Sequence, residues 1–376
     1  METEIQIVAF NIPYPPDYGG VIDIFYKVKE LSECGVSVYL HCFEYDRPRA
    51  IELEKYCAKV FYYSRKKGLR YQFSTKPYIV VTRVNDQLIN NLSANKAPVL
   101  FEGLHTCSFL NHPALANHLK LVRTHNIEHE YYLNLCRSER NLFKKLFFRI
   151  EACKLSGYEK VVQNASHLLC ISPNDNYYFD RKYGNSHFIP AFHPFSEIKS
   201  KEGRGKYILF HGNLSVSENL QAVDFLIKNV FTKISQPVII AGKNPPERLI
   251  LKIKQLSNIQ LISNPENEEM EVLIQNSQIS LIPTFQDTGL KLKLLASLFS
   301  GRFCMANTPM IHKTGLEHLC HLADTPEEMI RLTNELFDQD FTSEEIEKRK
   351  IILDDAFSNR NNALKIIRLL QKQTRQ

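Results

Sequence analysis

A chain of 376 residues is too long for one ordinary hydrophobic core and predicts two domains. Its 44% hydrophobic and 23% charged residues exclude a disordered chain, and no apolar run reaches the ~18–20 residues that a membrane span needs. The net charge of +6 lies mostly in residues 1–195, where 24 Lys and Arg stand against 19 Asp and Glu, a surplus of 5. This surplus favours an anionic partner such as a phosphate group or an anionic lipid surface, whereas the lack of an aromatic-studded basic stripe argues against nucleic acid.

Short apolar runs alternate with amphipathic stretches, a pattern typical of βαβ units around a parallel sheet. A loop rich in Pro and Gly follows the first predicted strand and leads into a predicted helix over residues 21–34. The predicted strands of the first half are residues 5–10, 36–43, 99–101, 121–124 and 167–171.

A mixture of Pro, Gly, Ser and charged residues interrupts this pattern around residues 191–206. We place the domain boundary there, which gives domains of residues 1–195 and 196–376. The second half then has predicted strands at 207–210, 238–240, 259–262, 279–282 and 303–306. Its predicted helices are residues 219–231, 246–256, 268–275 and 290–300, followed by a charged helical tail over 342–372.

Cysteine usage and the N-terminus predict a cytoplasmic protein. Nine cysteines are scattered from Cys34 to Cys320 without a Cys-x-x-Cys pair, so neither a disulfide framework nor a zinc ribbon is indicated. The acidic first residues lack the basic region that begins a signal peptide.

One loop and the helix after it have the composition of a phosphate site. The strand that ends at Ile282 is followed by Gly289, and a helix predicted from Leu290 has Lys291 and Lys293 near its start. The helix dipole disfavours cations there by ~0.3–1 kcal/mol each, unless an anion lies between them and the free amides. A solvated polar face on a helix whose leucines pack inward explains the same residues equally well.

Five segments stand in a fixed order along the chain: residues 13–20, 123–129, 210–219, 238–243 and 289–301. The last has the pattern Gly-x-Lys-x-Lys before a helix that ends in Gly, and a further strand follows it. Together these segments resemble the motifs of the family 4 retaining glycosyltransferases, also called group 1, and the resemblance extends over most of the chain.

The resemblance implies the α/β fold called GT-B, in which two Rossmann-like domains with parallel sheets face each other across a cleft. The N-terminal domain would bind the acceptor, the C-terminal domain would bind the nucleotide sugar, and the final helix, about residues 355–372, would cross back. Such enzymes use no metal or cofactor, because basic side chains and helix dipoles stabilise the departing nucleotide diphosphate.

The resemblance also implies the site residues. His125 and Lys293 would be catalytic, with His125 near the sugar or acceptor. The implied donor-binding residues are Gly212, Asn213, Gly242, Lys243, Asp287, Thr288, Gly289, Leu290 and Lys291. The implied acceptor-binding residues are Gly19, Gly20, Glu102 and His105, although an ordinary polar loop explains the last two equally well.

The chain departs from the family pattern at several positions. Thr288 and Ala296 stand where the family has paired glutamates, the second of which usually holds the nucleotide ribose. Asn213 and Glu218 stand where the family has basic residues, and Asp287 is a candidate replacement for one carboxylate. We interpret the chain as a divergent subgroup rather than a non-catalytic relative, because the basic phosphate-site residues remain.

Two other features allow competing interpretations. His125 and His129 have the i, i+4 spacing of a helical metal site, but no third ligand is evident, so we expect no metal. Residues 140–160 place Phe143, Leu146, Phe147 and Ile150 among basic side chains. Such a segment fits either packing into the domain or contact with an anionic membrane, and we expect packing because apolar stripes usually face a core.

The leading hypothesis is a transferase that moves a hexose, mannose or glucose, from a UDP- or GDP-sugar to a glycan or lipid-linked acceptor. The product would be a surface polysaccharide or glycolipid, made in the cytoplasm or at the inner face of the membrane. A non-catalytic GT-B module that binds nucleotide or glycan and supports a partner enzyme is the alternative. A GT-B epimerase acting on a sugar nucleotide is the third, and no residue specifically favours it.

Overall fold

A computed structural model describes residues 3–139, 141–285, 292–312 and 314–372 of the chain. The chain divides into two compact units. The first comprises Met1–Pro194 together with Ala356–Gln376, and the second comprises Phe195–Asp355.

Each unit contains one sheet in which all neighbouring strands are parallel. The first unit has β1 (Thr3–Ala9), β2 (Val36–Glu44), β3 (Lys59–Ser64), β4 (Val99–Glu102), β5 (Lys120–Thr124), β6 (His167–Cys170) and β7 (Ser186–Phe188). The second has β8 (Ile208–His211), β9 (Val238–Gly242), β10 (Ile259–Ser263), β11 (Ile279–Leu281), β12 (Phe303–Ala306) and β13 (His321–Leu322). The strand orders are β3-β2-β1-β4-β5-β6-β7 and β10-β9-β8-β11-β12-β13.

Helices connect successive parallel strands, as a parallel sheet requires. They are α1 (Gly19–Glu33), α2 (Tyr78–Val81), α3 (Asp86–Ser93), α4 (Glu128–Ser138), α5 (Leu142–Tyr158), α6 (Pro173–Tyr183), α7 (Ser217–Asn229), α8 (Glu247–Ile253), α9 (Asn267–Asn276), α10 (Leu292–Ser300), α11 (Thr308–Ile311), α12 (Pro326–Phe337), α13 (Ser343–Ala356) and α14 (Asn359–Lys372). Among the described residues, no helix combines the length and the apolar character that crossing a bilayer requires.

Both faces of each sheet are buried, which explains why the strands read as continuous apolar runs. Successive side chains of a strand point to opposite faces, so Ile7 and Val8 of β1 belong to separate apolar clusters. The cluster around Ile7 includes Ile24 of α1 and Ile366 of α14, so the last helix packs in the core of the first unit. In the second unit, Phe210 of β8 likewise lies in a different cluster from its neighbour Leu209.

The ten strands predicted from the sequence are confirmed to within two residues, whereas β3, β7 and β13 were not predicted. The strands β3, β7 and β13 lie at sheet edges, and β7 and β13 have only three and two residues. An edge strand is buried less completely than a central one, so its apolar run is weaker. The helical tail consists of two helices, α13 and α14, separated at Phe357 and Ser358.

Gly242, at the end of β9, lies against the turn that follows β8. A Cβ atom on Gly242 would come within 1.8 Å of the Gly212 carbonyl oxygen and 2.9 Å of Leu214 Cγ. The turn is held in place by hydrogen bonds from Gly212 N to Ala241 O (3.1 Å) and from Leu214 N to Lys243 O (2.8 Å). Only glycine therefore allows these two strand ends to meet.

Gly242→Ala is expected to lower the free energy of unfolding by at least about 2 kcal/mol, because backbone atoms must move to admit the methyl group. Urea denaturation of the variant and the wild type measures this difference. Gly157→Ala in α5 is the matched control, because no described atom lies within 4 Å of its added Cβ. Equal midpoints for the two variants would contradict the close contact.

Candidate functional site

A buried network of charges lies at the carboxyl ends of β4 and β5. Lys27 of α1 places its Nζ 2.8 Å from Asp23 Oδ2 and 2.8 Å from Glu102 Oε1 at the end of β4. Arg123 of β5 binds Asp23 through Nη2 to Oδ1 (2.8 Å) and Nε to Oδ2 (3.1 Å). His125, just after β5, completes the network with its Nε2 2.9 Å from Glu102 Oε2.

Hydrogen bonding fixes the orientation of the His125 ring. A carboxylate only accepts hydrogen bonds, so His125 Nε2 must carry the proton that it shares with Glu102. In the neutral ring Nδ1 then holds the lone pair. Glu102 has both of its carboxylate oxygens beside cationic or donor groups, and its side chain is fully buried. Glu102 was predicted to bind the acceptor, and the structure shows it in contact with Lys27 and His125.

Inside the domain, the negative charges of Asp23 and Glu102 are balanced by the positive charges of Lys27 and Arg123. Burial alone would raise the pKa of Asp23, but the charges of Arg123 and Lys27 outweigh it and hold that pKa well below its usual range. Arg123 also donates to the carbonyl oxygens of Ile189 (2.5 Å) and Pro190 (2.9 Å). Each buried charge thus has a partner, as burial in a low-dielectric interior demands.

Asp23, Glu102 and His125 offer ligand atoms within 4.8 Å of one another, the spacing of a metal site. The Lys27 ammonium lies between the two carboxylates and supplies the positive charge there. His125 and His129, whose spacing was considered for a metal site, have separate partners. His129 Nδ1 lies 3.0 Å from Glu159 Oε2, whereas His125 pairs with Glu102.

The structure brings three of the predicted acceptor-side residues together around Phe10. The Phe10 ring lies 5.1 Å from the His105 ring and 5.5 Å from the His125 ring. A Cβ on Gly20 would come within 2.5 Å of Phe10 Cζ, so Gly20 allows the ring to sit against α1. Burial, together with the nearby positive Arg83, lowers the pKa of His105 well below its usual value, so the ring is neutral. A Cβ on Gly19, in contrast, would have no described atom within 4 Å apart from its own chain neighbours.

Glu128, in the first turn of α4, is a buried acid that the sequence motif contained but that we did not assign to the site. Burial and the neighbouring Asp175 raise the pKa of Glu128 to about 8, and Arg83 offsets only part of this rise. Glu128 is therefore protonated at neutral pH. A glutamate within a motif next to His125 was the available signal.

In the second unit, Lys293 lies in the first turn of α10 and is held by a side chain of α7. Its Nζ donates to Asn219 Oδ1 (2.9 Å), and Asn219 Nδ2 donates to the carbonyl oxygen of Asn213 (2.9 Å). The ammonium also lies 5.4 Å from the centre of the Phe210 ring. Lys293 is thus fixed beside the turn after β8, where ligands bind in open α/β sheets.

His211, the last residue of β8, is a neutral neighbour of Lys293. Burial and the Lys293 charge lower the pKa of His211 to about 3. The Ser297 hydroxyl donates to Lys293 O (2.9 Å), so it accepts from His211 Nε2 at 3.0 Å. This chain of bonds ties the end of β8 to α10.

Of the predicted donor residues, Gly212, Asn213, Gly242 and Lys243 lie together at the ends of β8 and β9. Asp287, Thr288, Gly289, Leu290 and Lys291 lie outside the described residues. Ala296 packs in an apolar cluster with Leu209, Ala241 and Ile274, and its methyl group offers nothing to a ribose. The missed residue here is Asn219, whose only sequence signal was its place in the motif that begins at Phe210.

Comparison with known proteins adds a fold assignment. No protein-family model matches this chain. A Klebsiella pneumoniae protein described as "Uncharacterized 44.6 kDa protein in cps region" is 27% identical over 332 residues, or 84% of this chain and 85% of that protein. Among solved structures, TarM superposes with a TM-score of 0.69 at 10% identity and covers 99% of each chain.

A glycosyltransferase from Rickettsia africae ESF-5 has a TM-score of 0.62 at 12% identity, covering 99% of this chain and 98% of its own. A trehalose 6-phosphate synthase from Burkholderia multivorans has a TM-score of 0.59 at 11% identity, covering 100% and 99%. These identities are low enough that the likeness shows the fold alone. The chain has the GT-B fold, so the predicted fold class is confirmed.

Lys27→Met is expected to lower the free energy of unfolding by about 3–5 kcal/mol, because it leaves two buried carboxylates without their shared cation. Urea denaturation measures the change. Lys29→Met, on the exposed side of the same helix, is the control and should change stability by less than about 1 kcal/mol. A Lys27 variant as stable as the Lys29 variant would show that the network does not hold α1 in place.

Glu128→Gln is expected to change how stability depends on pH. The folded pKa of Glu128, about 8, lies above its ordinary 4.5, so its contribution is complete below 4.5 and is lost as pH rises through 8. The glutamine variant lacks this loss and should gain on the wild type by up to about 1.4 kcal/mol per pH unit in that window. Unfolding measured from pH 5 to 9, with exposed Glu130→Gln as control, tests this; parallel curves for wild type and Glu128→Gln would contradict it.

Proposed function

We propose that this chain is a metal-independent, retaining hexosyltransferase of the family 4 kind that uses a UDP- or GDP-sugar as donor. The hexose, mannose or glucose, is transferred to a glycan or lipid-linked acceptor during synthesis of a surface polysaccharide or glycolipid in the cytoplasm. The GT-B fold supports glycosyl transfer as the class of reaction. The "cps region" of the Klebsiella pneumoniae relative supports a role in polysaccharide synthesis, since such a region concerns the capsule.

The placement of Lys293 is the observation that carries this proposal. A sugar donor leaves behind a nucleotide diphosphate, so the enzyme must stabilise negative charge that develops on a phosphate oxygen. Lys293 is fixed by Asn219 at the start of α10, where the helix dipole also favours an anion. A lysine held in advance loses little conformational entropy when it binds the diphosphate, which makes its stabilisation of the leaving group effective.

The turn after β8 supports the same assignment. Gly212 has its Cα against the Asn219 side chain, where a Cβ would come within 3.1 Å of Asn219 Nδ2. The absence of a side chain at Gly212 keeps the backbone beside Lys293 accessible to a bulky anion. Gly242 supports the turn from the other side, and Asn213 anchors Asn219 through its carbonyl oxygen.

In the first unit, we assign His125 to the sugar and acceptor side. Its Nε2 is engaged by Glu102, so Nδ1 is the ring nitrogen able to accept a hydrogen bond from a hydroxyl group. Gly19, Gly20 and His105 would contact the acceptor, and Phe10 joins them as an apolar surface.

A non-catalytic GT-B module is the second candidate, and the surroundings of Ala296 favour it. The family glutamate at this position would be replaced by a methyl group packed among Leu209, Ala241 and Ile274. Glu218, which stands where the family has a basic residue, accepts a hydrogen bond from the Thr284 hydroxyl. Such a protein would bind nucleotide or glycan without transferring sugar.

Unfolding temperatures measured with UDP and with GDP show which base the donor carries and test the phosphate site. One nucleotide should raise the unfolding temperature of the wild type, because a ligand that binds only the folded state stabilises it. Lys293→Ala should lose most of that increase, because losing a charge-assisted contact should weaken nucleotide affinity by about tenfold or more. Lys228→Ala, an exposed cation of α7, is the control and should respond like the wild type.

A response to neither nucleotide, or an unchanged response of Lys293→Ala, would remove the support for donor binding at α10. If one nucleotide binds at Lys293 but no sugar nucleotide releases its diphosphate with glycan and lipid acceptors present, the second candidate replaces the first.

A further inference from the structure

The start of α5 exposes a row of large apolar side chains to solvent. Leu142 is 78% exposed, Phe143 86%, Leu146 57% and Ile150 45%. We expected the stripe of Phe143, Leu146, Phe147 and Ile150 to pack into the domain. That expectation is wrong for Phe143, Leu146 and Ile150, whereas Phe147 contacts the Tyr78 ring. The opposite side of the helix supplies the packing, through Ala152 and other buried side chains.

The position of these side chains follows from how α5 begins. Asn141 caps the helix, and its side chain accepts from Phe143 N (3.0 Å) and Lys144 N (3.1 Å). Leu142, Leu146 and Ile150 are spaced four residues apart, so they lie on one face. Phe147 and Phe148 are half-buried and contact the rings of Tyr78 and Tyr132.

A second exposed apolar pair lies on the segment beside α5. Phe73 is 87% exposed and Leu69 is 72% exposed, both in a 3-10 turn at Leu69–Phe73. Lys154 of α5 donates to the carbonyl oxygen of Gln72 (2.8 Å), and Glu151 of α5 accepts from Tyr78 N (2.6 Å). The first bond fixes the turn against α5, and the second fixes the start of α2 against the same helix. We call residues 65–76 with residues 141–150 the α5 surface.

The α5 surface carries only positive charge. Residues 65–76 contain five Lys and Arg and residues 141–150 contain three, with no Asp or Glu in either range. Two acids lie at its borders: Glu139 accepts from Asn141 N (2.9 Å), and Glu151 is buried and paired with Lys154 at 2.8 Å. Tyr71 and Tyr45 lie under the guanidinium groups of Arg70 (4.8 Å) and Arg65 (4.1 Å).

We propose that the α5 surface docks on an anionic lipid bilayer. Exposed Phe and Leu side chains flanked by Lys and Arg are the two components of interfacial binding, since the apolar groups enter the acyl boundary and the cations meet the headgroups. A patch of exposed large apolar residues costs solubility unless something covers it. The charge complementarity selects an anionic bilayer as the occupant. This inference does not depend on the proposed transferase activity.

Sedimentation with vesicles tests the proposal on the full chain. The wild type should bind vesicles that contain about one-third phosphatidylglycerol and should bind phosphatidylcholine vesicles at least about tenfold more weakly. Raising the salt concentration should weaken binding to the anionic vesicles, because salt screens the cations.

Two variants separate the apolar and the charged contributions. Leu142→Ser with Phe143→Ser should reduce binding to anionic vesicles by about tenfold or more, and so should Lys144→Gln with Lys145→Gln. All four side chains are exposed, so both variants should fold, which circular dichroism checks. The controls are Ile351→Ser, which changes an apolar residue that is 68% exposed, and Lys228→Gln with Lys233→Gln; all three residues lie in the second unit.

Equal binding of the wild type to neutral and anionic vesicles, or binding to neither, would overturn the proposal. So would wild-type affinity of both α5 variants. Light scattering supplies a further arm: a dimeric wild type that becomes monomeric in the Leu142→Ser, Phe143→Ser variant would show that a second copy covers this surface instead.

Discussion

The Lys27 ammonium, buried between Asp23 and Glu102, is the constraint that organises the first unit. It joins α1 to the end of β4, while Arg123 joins the same aspartate to β5 and to the backbone at residues 189–190. The next residues of that backbone carry the constraint further, because His193 Nε2 lies 2.8 Å from the carbonyl oxygen of Phe357, just before α14. A charge network of this kind is worth little as net stability but is costly to break, so it specifies one arrangement of these elements. The same arrangement orients His125.

In the second unit, the candidate site is positioned by backbone contact and by one amide side chain. Two strand ends meet there without side chains between them, because Gly242 lies against the Gly212 carbonyl oxygen. Asn219 then connects the turn to the lysine of α10. In the first unit the positive charges of Lys27 and Arg123 are neutralised by buried acids.

Apolar patterning was sufficient to predict the sheets, because a strand buried on both faces is apolar at nearly every position. The same patterning failed for Asp23 and Lys27, whose partners Glu102 and Arg123 are distant in sequence. Two charges in a helix look like a solvated face until the fold brings their partners alongside. Patterning also failed at Phe143, which was expected to be buried and is exposed, because periodicity identifies the apolar face of a helix but not what covers it. The place of Lys293 near the start of a helix could be predicted from the sequence, but its hydrogen bond to Asn219 could not.

A crystal structure of the protein with UDP or GDP tests whether Lys293 binds the diphosphate of the donor. We expect a diphosphate bound at the start of α10, with a phosphate oxygen within hydrogen-bond distance of Lys293 Nζ and the nucleoside reaching the ends of β8 and β9. A diphosphate bound elsewhere in the second unit, or in the first unit, would contradict the assignment of Lys293. A nucleotide absent from the crystal at saturating concentration would contradict the proposed donor class.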